Sequence, residues 1–375
     1  MEGVTDLPFR LWFGALAGPS FQSTPFLRVT AGFPGKLLPT EYIPEVKYRK
    51  HVAYDLVPQL MTENADDFIR VGKLVLACAD FVDLNCGCPS PNAARGGAGS
   101  SLLANLPSLR EYLVKCCDQL GPDKVSIKIR AGYERHDELP LIVDTIKDLP
   151  LARVTIHGRT RPQRYDGYSR WMGIAEAADA LPMPVFGSGD IVDYESMVEK
   201  KALLEKLSGV VIGRGALRNP MVFQEIAQSG KTQSISTATL FPSLKSLACL
   251  YELKFKKPTA LVDLICNDVF KEPFIDDSSQ WEELYDRLSS LLDNADEISR
   301  GSLGRVKMIW NYLRSSLEET FFSPQLLRSK NLETLLQGIK LAGDTQSRLK
   351  LRHHRNFDWV YTSRKKQPDA LDDLF

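Results

Sequence analysis

Residues 83–99 read Asp-Leu-Asn-Cys-Gly-Cys-Pro-Ser-Pro-Asn-Ala-Ala-Arg-Gly-Gly-Ala-Gly, an amide and two thiols followed by a glycine-rich turn. The run before it, Phe81-Val82-Asp83-Leu84, is rich in β-formers, whereas the proline and glycines after it exclude strand and helix alike. The stretch is therefore a buried strand feeding a loop, and parallel α/β folds carry their chemistry where such strands end. Cys86 has the position of a small buried apolar group. Cys88 lies past the strand, before Pro89 and among glycines, where packing gives no reason for a thiol. Set against a reactive ring, that thiol can serve as a proton donor.

Other polar residues share the strand-end position. Gln59 lies near the end of the run 56–61, Lys128 and Arg130 close 125–130, His157 closes 153–157, and Ser188-Gly189-Asp190 follows Val185-Phe186. His157 alone is as well read as a satisfied core histidine. Convergence of five successive strands on one rim favours a site. Gly187-Ser188-Gly189-Asp190 and Val211-Ile212-Gly213-Arg214-Gly215 each combine glycines, which let backbone N–H groups approach an anion, with a following helix start. Either could be a tight turn, but together they form a phosphate cup, with Arg214 supplying charge. Lys128 beneath the cavity would stabilise the N1–O2 anion of a reduced flavin, and a single phosphate fits FMN.

The elements that must hold these residues alternate. A helix over 7–13, capped by Asp6 with Pro8 in its first turn, precedes strand-like runs at 25–30, 56–61, 81–84, 125–130, 153–157, 185–188 and 209–212. Helical periodicity fills 65–77, 106–120, 139–149 and 194–207. That is an α/β pattern one strand short of a (β/α)8 TIM barrel, which places the first strand upstream of Met1 and the barrel domain over 1–228. The polar, aperiodic 229–242 reads as a linker. Helices expected at 243–255, 280–292, 304–318 and 331–341 make a helical bundle over 243–355, with an acidic insertion around Asp268, Glu272, Asp276 and Asp277. Residues 356–375 read as a frayed tail.

Composition excludes little. Lys plus Arg equals Asp plus Glu at 47 each, so any RNA surface must come from local clustering. The 7 cysteines are odd in number and irregularly spaced, which fits a reducing compartment, hence the cytoplasm, better than a disulfide framework. No apolar run reaches membrane-spanning length. No metal-ligand spacing stands out, and a monomer is expected.

These motifs resemble those of the FMN-dependent tRNA-dihydrouridine synthases, most of all their bacterial C-type branch. The resemblance is carried by Met-Glu-Gly-Val at 1–4, Leu-Asn-Cys-Gly-Cys-Pro at 84–89, the glycine-rich 96–103, Ser-Ile-Lys-Ile-Arg at 126–130, Ile-His-Gly-Arg-Thr at 156–160 and Ile-Gly-Arg-Gly-Ala-Leu at 212–217. It implies that Cys88 is the catalytic acid. It also implies that Met1, Glu2, Gly3, Gln59, Lys128, His157, Ser188, Gly189, Asp190, Gly213 and Arg214 hold FMN, while Asn85, Arg130 and Tyr165 face the target uracil. The implied reaction reduces a uridine of the tRNA D-loop to 5,6-dihydrouridine. NADPH gives hydride to the flavin, the flavin gives it to C6, and Cys88 protonates C5.

On the same resemblance, Arg305, Lys307 and Arg314 lie on a basic bundle helix, beside Trp310 and Tyr312, that contacts tRNA phosphates. The competing reading is a solvated charged face with Trp310 in the core. Arg348, Lys350 and Arg352-His353-His354-Arg355 form a second basic cluster. Rival functions are an FMN barrel oxidoreductase acting on another pyrimidine or on ribosomal RNA, and an RNA-binding homologue without turnover.

Overall fold

The computed structural model describes residues 3–33, 46–90, 96–230, 234–294, 297–313, 324–342 and 348–350. Its centre is a parallel sheet. Strands β1 (Phe21–Ser23), β2 (Leu27–Arg28), β3 (Asp55–Val57), β4 (Gln59–Met61), β5 (Val82–Cys86), β6 (Val125–Arg130), β7 (Arg153–His157), β8 (Val185–Ser188) and β9 (Gly209–Val211) run in sequence, and seven of them form one sheet ordered β2-β4-β5-β6-β7-β8-β9. All its pairings are parallel, and helices such as Ala65–Leu76, Leu106–Leu120, Leu139–Ile146 and Trp171–Ala180 follow the strands. This is the (β/α) barrel class of α/β fold, with β2 and β9 as the end strands of the seven.

Two strands differ from the sequence expectation. The run 56–61 is split into β3 and β4 at Pro58, whose nitrogen has no hydrogen to donate to a ladder. The strand expected at 25–30 is only two residues long, and β1, which pairs with β3, lies before it. In β1, β2 and β9 every residue is partly exposed, whereas β5 is buried throughout.

The first helix runs over Leu7–Ala17, longer than the expected 7–13, with all its residues buried. Gly18 stops it at φ +58°, the left-handed conformation glycine adopts without strain. Its buried face packs on the helix Thr237–Lys256. Tyr251 Oη donates to Asp6 Oδ1 at 2.8 Å, and Lys254 Nζ lies 3.2 Å from Asp6 Oδ2. Barrel and helical region thus share one apolar core, which includes Trp12, Leu16, Leu247, Trp281 and Trp310.

The expected linker 229–242 is corrected. Ser234–Ser236 is a strand pairing with Arg348–Lys350, and the helix starts at Thr237 because Ser236 Oγ accepts from Thr239 N at 3.0 Å. Pro242 sits inside that helix. The insertion is ordered too, as the helix Pro258–Cys266 and the start of Ser278–Ser290. Its carboxylates are caps and latches: Asp277 accepts from Ser279 N and Gln280 N, Asp276 accepts from Thr239 Oγ1 at 2.8 Å, and Asp268 lies 2.7 Å from His51 Nδ1. Backbone bonds from Phe274 and Ile275 to Ala15 O bind the insertion to the first helix. The tail 356–375 and the cluster at 352–355 lie outside the described residues.

Candidate active site

Strand register stacks the polar residues in levels. Asp83 pairs with Ser126 and Ser126 with Arg153; one level up, Asn85 pairs with Lys128, Lys128 with Thr155 and Thr155 with Phe186. A third level aligns Arg130, His157, Ser188 and Val211. Side chains alternate along a strand, so the intervening Val82, Leu84, Val125, Ile127, Ile129, Val154 and Ile156 face the helices, each buried completely. The polar set faces inward, and part of it lines a cavity of about 1550 Å³. Gln59, Asn85, Cys88, Lys128, Arg130 and His157 line it, as do Tyr165, Ser188, Asp190, Gly213 and Arg214.

The Cys88 loop is held from every side. Asn85 Oδ1 accepts from Gly87 N at 3.0 Å and Cys88 N at 2.9 Å; Cys88 O accepts from Ser100 N at 3.1 Å and Ser100 Oγ at 2.8 Å. Arg130 Nε donates to Gly87 O at 2.8 Å and its Nη1 to Thr160 O at 2.7 Å, tying this loop to the one after β7. Gly99, at φ +64°, lets the chain pass close: a Cβ there would lie 3.0 Å from Cys88 O. Asn85 and Arg130 therefore shape the loop as well as line the cavity. Cys86 is fully buried, its thiol pushed up by burial, as its strand position implied.

On the strands beside this loop the cavity wall gathers cations. Lys128 makes no hydrogen bond or ion pair among the described residues, and burial first, then Arg130, push its ammonium down to about 8. Burial and the surrounding Lys128, Arg130, Arg159 and Arg214 hold His157 well below its ordinary value, so the ring is neutral. Its Nδ1 accepts from Arg159 N at 3.3 Å, which assigns the proton to Nε2 as a donor. Arg218, one turn past Arg214, is pushed down to about 9 by burial and then by Arg214. A Cβ on Gly213 would meet nothing within 4 Å. Open space over a glycine, with Arg214 and Arg218 on the helix that follows, has the chemistry of an anion cradle.

Not every nominated residue reaches the cavity as a free group. Asp190 spends both oxygens internally: Oδ1 on Arg159 Nη2 at 2.8 Å and Oδ2 on Ser169 N at 2.7 Å. Ser188 Oγ donates to Val211 O at 2.9 Å, and Gly189 O accepts from Trp171 Nε1 at 3.1 Å. Gly189 has φ +128° and its Cβ position is filled by Ser169, so only glycine fits. Gly3 does not line the cavity; its carbonyl accepts from Arg305 Nη1. Lys307 Nζ donates to Ser329 O, and Trp310 is fully buried. The structure thus makes Arg305 and Lys307 struts of the helical region. Met1, Glu2 and Arg314 lie outside the described residues.

Sequence reading passed over two organising residues. Asp83 is buried and accepts from Ser126 Oγ and Gln59 Nε2; Arg159 is fully buried and ties the loop 159–169 together through Asp166 O, Gly167 O, Ser169 Oγ and Asp190. Tyr165, on that loop, is half exposed at the mouth with the Arg214 guanidinium 4.3 Å from its ring centroid.

A family model described as dihydrouridine synthase matches residues 1–292. The chain is 36% identical over 190 residues to a Xenopus tropicalis protein named tRNA-dihydrouridine(47) synthase [NAD(P)(+)]-like, covering 50% of this chain and 28% of that protein. It is 32% identical over 240 residues to probable tRNA-dihydrouridine synthase 1 of Synechocystis, covering 62% of this chain and 64% of the relative. A probable tRNA-dihydrouridine synthase of Aquifex aeolicus is 34% identical over 151 residues, 40% of this chain and 47% of that one. The chain therefore spans less than two thirds of the length of these relatives. They include animal and bacterial proteins, so they speak for the family as a whole and not for its bacterial C-type branch.

Proposed function

The chain belongs to the dihydrouridine synthase family, and from that premise we propose that it reduces the C5–C6 double bond of a uridine in the tRNA D-loop. NADPH is the reductant and FMN the resident cofactor. The donor set fits FMN: Lys128 is a half-buried cation that makes no ion pair among the described residues, and the open face of Gly213 beside Arg214 has room for a phosphate. Neutral His157 supplies a further hydrogen-bonding group on the same wall, and Gln59 lines the cavity beside Asn85. The chemistry FMN contributes when bound is two-electron transfer, from NADPH to C6 of the uracil.

The remaining work falls to the chain. Addition at C6 loads negative charge onto C5 and the C4 carbonyl, and a nearby acid must quench it. Cys88 gives its Sγ proton to C5 and the thiolate recovers a proton from water. The observation that carries this reading is the pinned Cys88 backbone, which holds the thiol on the wall of the same cavity as Lys128 and His157. The target base must leave its stack to enter, and Tyr165 at the mouth offers it a ring. No described helix is long and apolar enough to cross a membrane. We place the activity in the cytoplasm and in a monomer.

The test is Cys88→Ala. The variant should keep its yellow flavin and its bleaching under NADPH while dihydrouridine formation falls by about 100-fold or more, the weight of a general acid. Mapping dihydrouridine in tRNA incubated with each protein reads this out. Full turnover in the variant removes Cys88 from the mechanism, and a colourless parent that binds tRNA without reducing it removes the enzyme.

A further inference from the structure

We propose that Asp83 is a positioning residue, whose carboxylate sets the direction of a hydrogen-bond relay through Gln59 and Asn85 that holds the Cys88 loop in shape. The inference rests on the reading of Cys88 as the proton donor, and extends it one level down the barrel.

The relay runs in a single direction. Ser126 Oγ donates to Asp83 Oδ1 at 2.6 Å and Gln59 Nε2 to Asp83 Oδ2 at 2.7 Å. With its nitrogen so committed, Gln59 turns Oε1 the other way, where it accepts from Asn85 Nδ2 at 2.7 Å. Asn85 in turn has only Oδ1 left for the loop, and that oxygen accepts from both Gly87 N and Cys88 N. The Gln59 backbone is fixed as well, its N–H donating to Thr24 Oγ1 at 2.9 Å.

Each amide, taken alone, could sit either way round. Burial raises the Asp83 carboxyl, while the hydrogen bonds from Ser126 and Gln59 and the nearby Arg153 and Lys128 favour its charged form; a carboxylate accepts and never donates, so placing one at the end removes that freedom. Turning the relay over would aim the Asn85 NH2 at two backbone N–H groups and leave buried donors unpaired. Water has little access to repair the fault, because Asp83, Gln59, Asn85 and Ser126 are 2%, 6%, 8% and 0% exposed. Asp83 itself does not line the cavity, so it acts on the thiol only through its two neighbours.

The experiment swaps the ends of the relay in the full chain. In Asn85→Asp, carboxylates at 83 and 85 both need a donor and Gln59 can serve only one. In Asp83→Asn both directions become open. In the double variant the acceptor-only group moves to the loop end: the new amide at 83 donates to Gln59 Oε1, Gln59 Nε2 donates to the new carboxylate at 85, and that carboxylate still accepts from Gly87 and Cys88 N–H.

Iodoacetamide alkylation of Cys88, located by peptide mass mapping, and hydrogen exchange over 84–90 report loop order without needing turnover. Asn85→Asp should speed both about tenfold, Asp83→Asn a few-fold, and the double variant should return to within about threefold of the parent, as coupled neighbours do. A double variant no better than Asn85→Asp overturns the relay, as does an Asn85→Asp or Asp83→Asn variant with parental rates. If Asn85→Asp does not fold, a folded double variant supports the relay by rescue, and Asp83→Asn is read alone. Uridine reduction is followed in parallel: a parent with the expected alkylation pattern but no reduction of uridine keeps the relay and removes the acid role.

Discussion

The two walls of the cavity are built on opposite principles. On the wall of β5, polar groups find protein partners: Asp83, Gln59 and Asn85 satisfy one another, and Cys88 is bonded at both its N–H and its carbonyl. On the wall of β6 to β9, Lys128 makes no ion pair among the described residues, and Arg130 and Arg218 are pushed down to about 10 and about 9 by burial. One wall is complete as protein; the other gathers Lys128, Arg130, Arg214 and Arg218 around the cavity. The difference teaches where to look for the ligand, because a protein tolerates buried cations at such a cost only where something anionic repays it.

Substitutions should therefore have opposite signs at a paired charge and at one with no ion pair among the described residues. The largest effect is expected at Arg159, fully buried and 2.8 Å from Asp190, itself only 7% exposed. Arg159→Met strands a buried carboxylate and opens the loop that carries Tyr165, at a cost of about 3–5 kcal/mol. A urea titration of the two proteins measures it; a loss under 1 kcal/mol would show that the loop is held some other way.

Lys128→Met should do the reverse. The free protein gains, because a half-buried charge is removed, while flavin affinity falls by about tenfold or more. The sign with pH follows from the lysine being pushed down to about 8 from 10.5. Between those values the unfolded chain binds more protons than the folded one, so stability rises with pH across that window. Melting of the flavin-free parent should climb relative to the variant from pH 8 to 10, by a few degrees, and the gap should close when FMN is added. A parent and variant that melt in parallel across this range would mean the lysine is already neutralised by protein.

The contrast also explains what could be read from the chain alone. The strands were legible because polar and apolar residues alternate through 82–86, 125–130 and 153–157, and the register then aligned their inward faces. The cationic wall was legible for the same reason: Lys128 and Arg214 stand at strand ends where nothing structural asks for charge. The satisfied wall was not. Asp83 inside an apolar run carries no sign of its partners, which lie 24 and 43 residues away. The helix start at Thr237 was hidden because a serine cap followed by threonines and a proline has the composition of a loop, and only tertiary packing on Leu7–Ala17 decides otherwise. Asp190 was read as a ligand because its own loop suggests an anion site, while the arginine that claims it sits 31 residues earlier.

The smallest effect concerns Arg305, and it separates the two uses of a surface cation. Its guanidinium donates to Gly3 O, lies 3.9 Å from Asp6 Oδ2 and sits 5.8 Å from the Tyr251 ring centroid, with about a third of the side chain exposed. A strut so placed is worth little, and Arg305→Ala should cost only about 0.5 kcal/mol of stability. Binding to tRNA gives the sharper reading. A cation that neutralises one phosphate contributes about one to the slope of log affinity against log salt, and its removal flattens the slope by that amount. Because Arg305 is committed to the backbone of residue 3 and to Asp6, the variant should keep the parental slope and lose at most about twofold in affinity. A slope lower by one would return Arg305 to the phosphate-contacting set and extend the cationic wall out of the cavity onto the helical region.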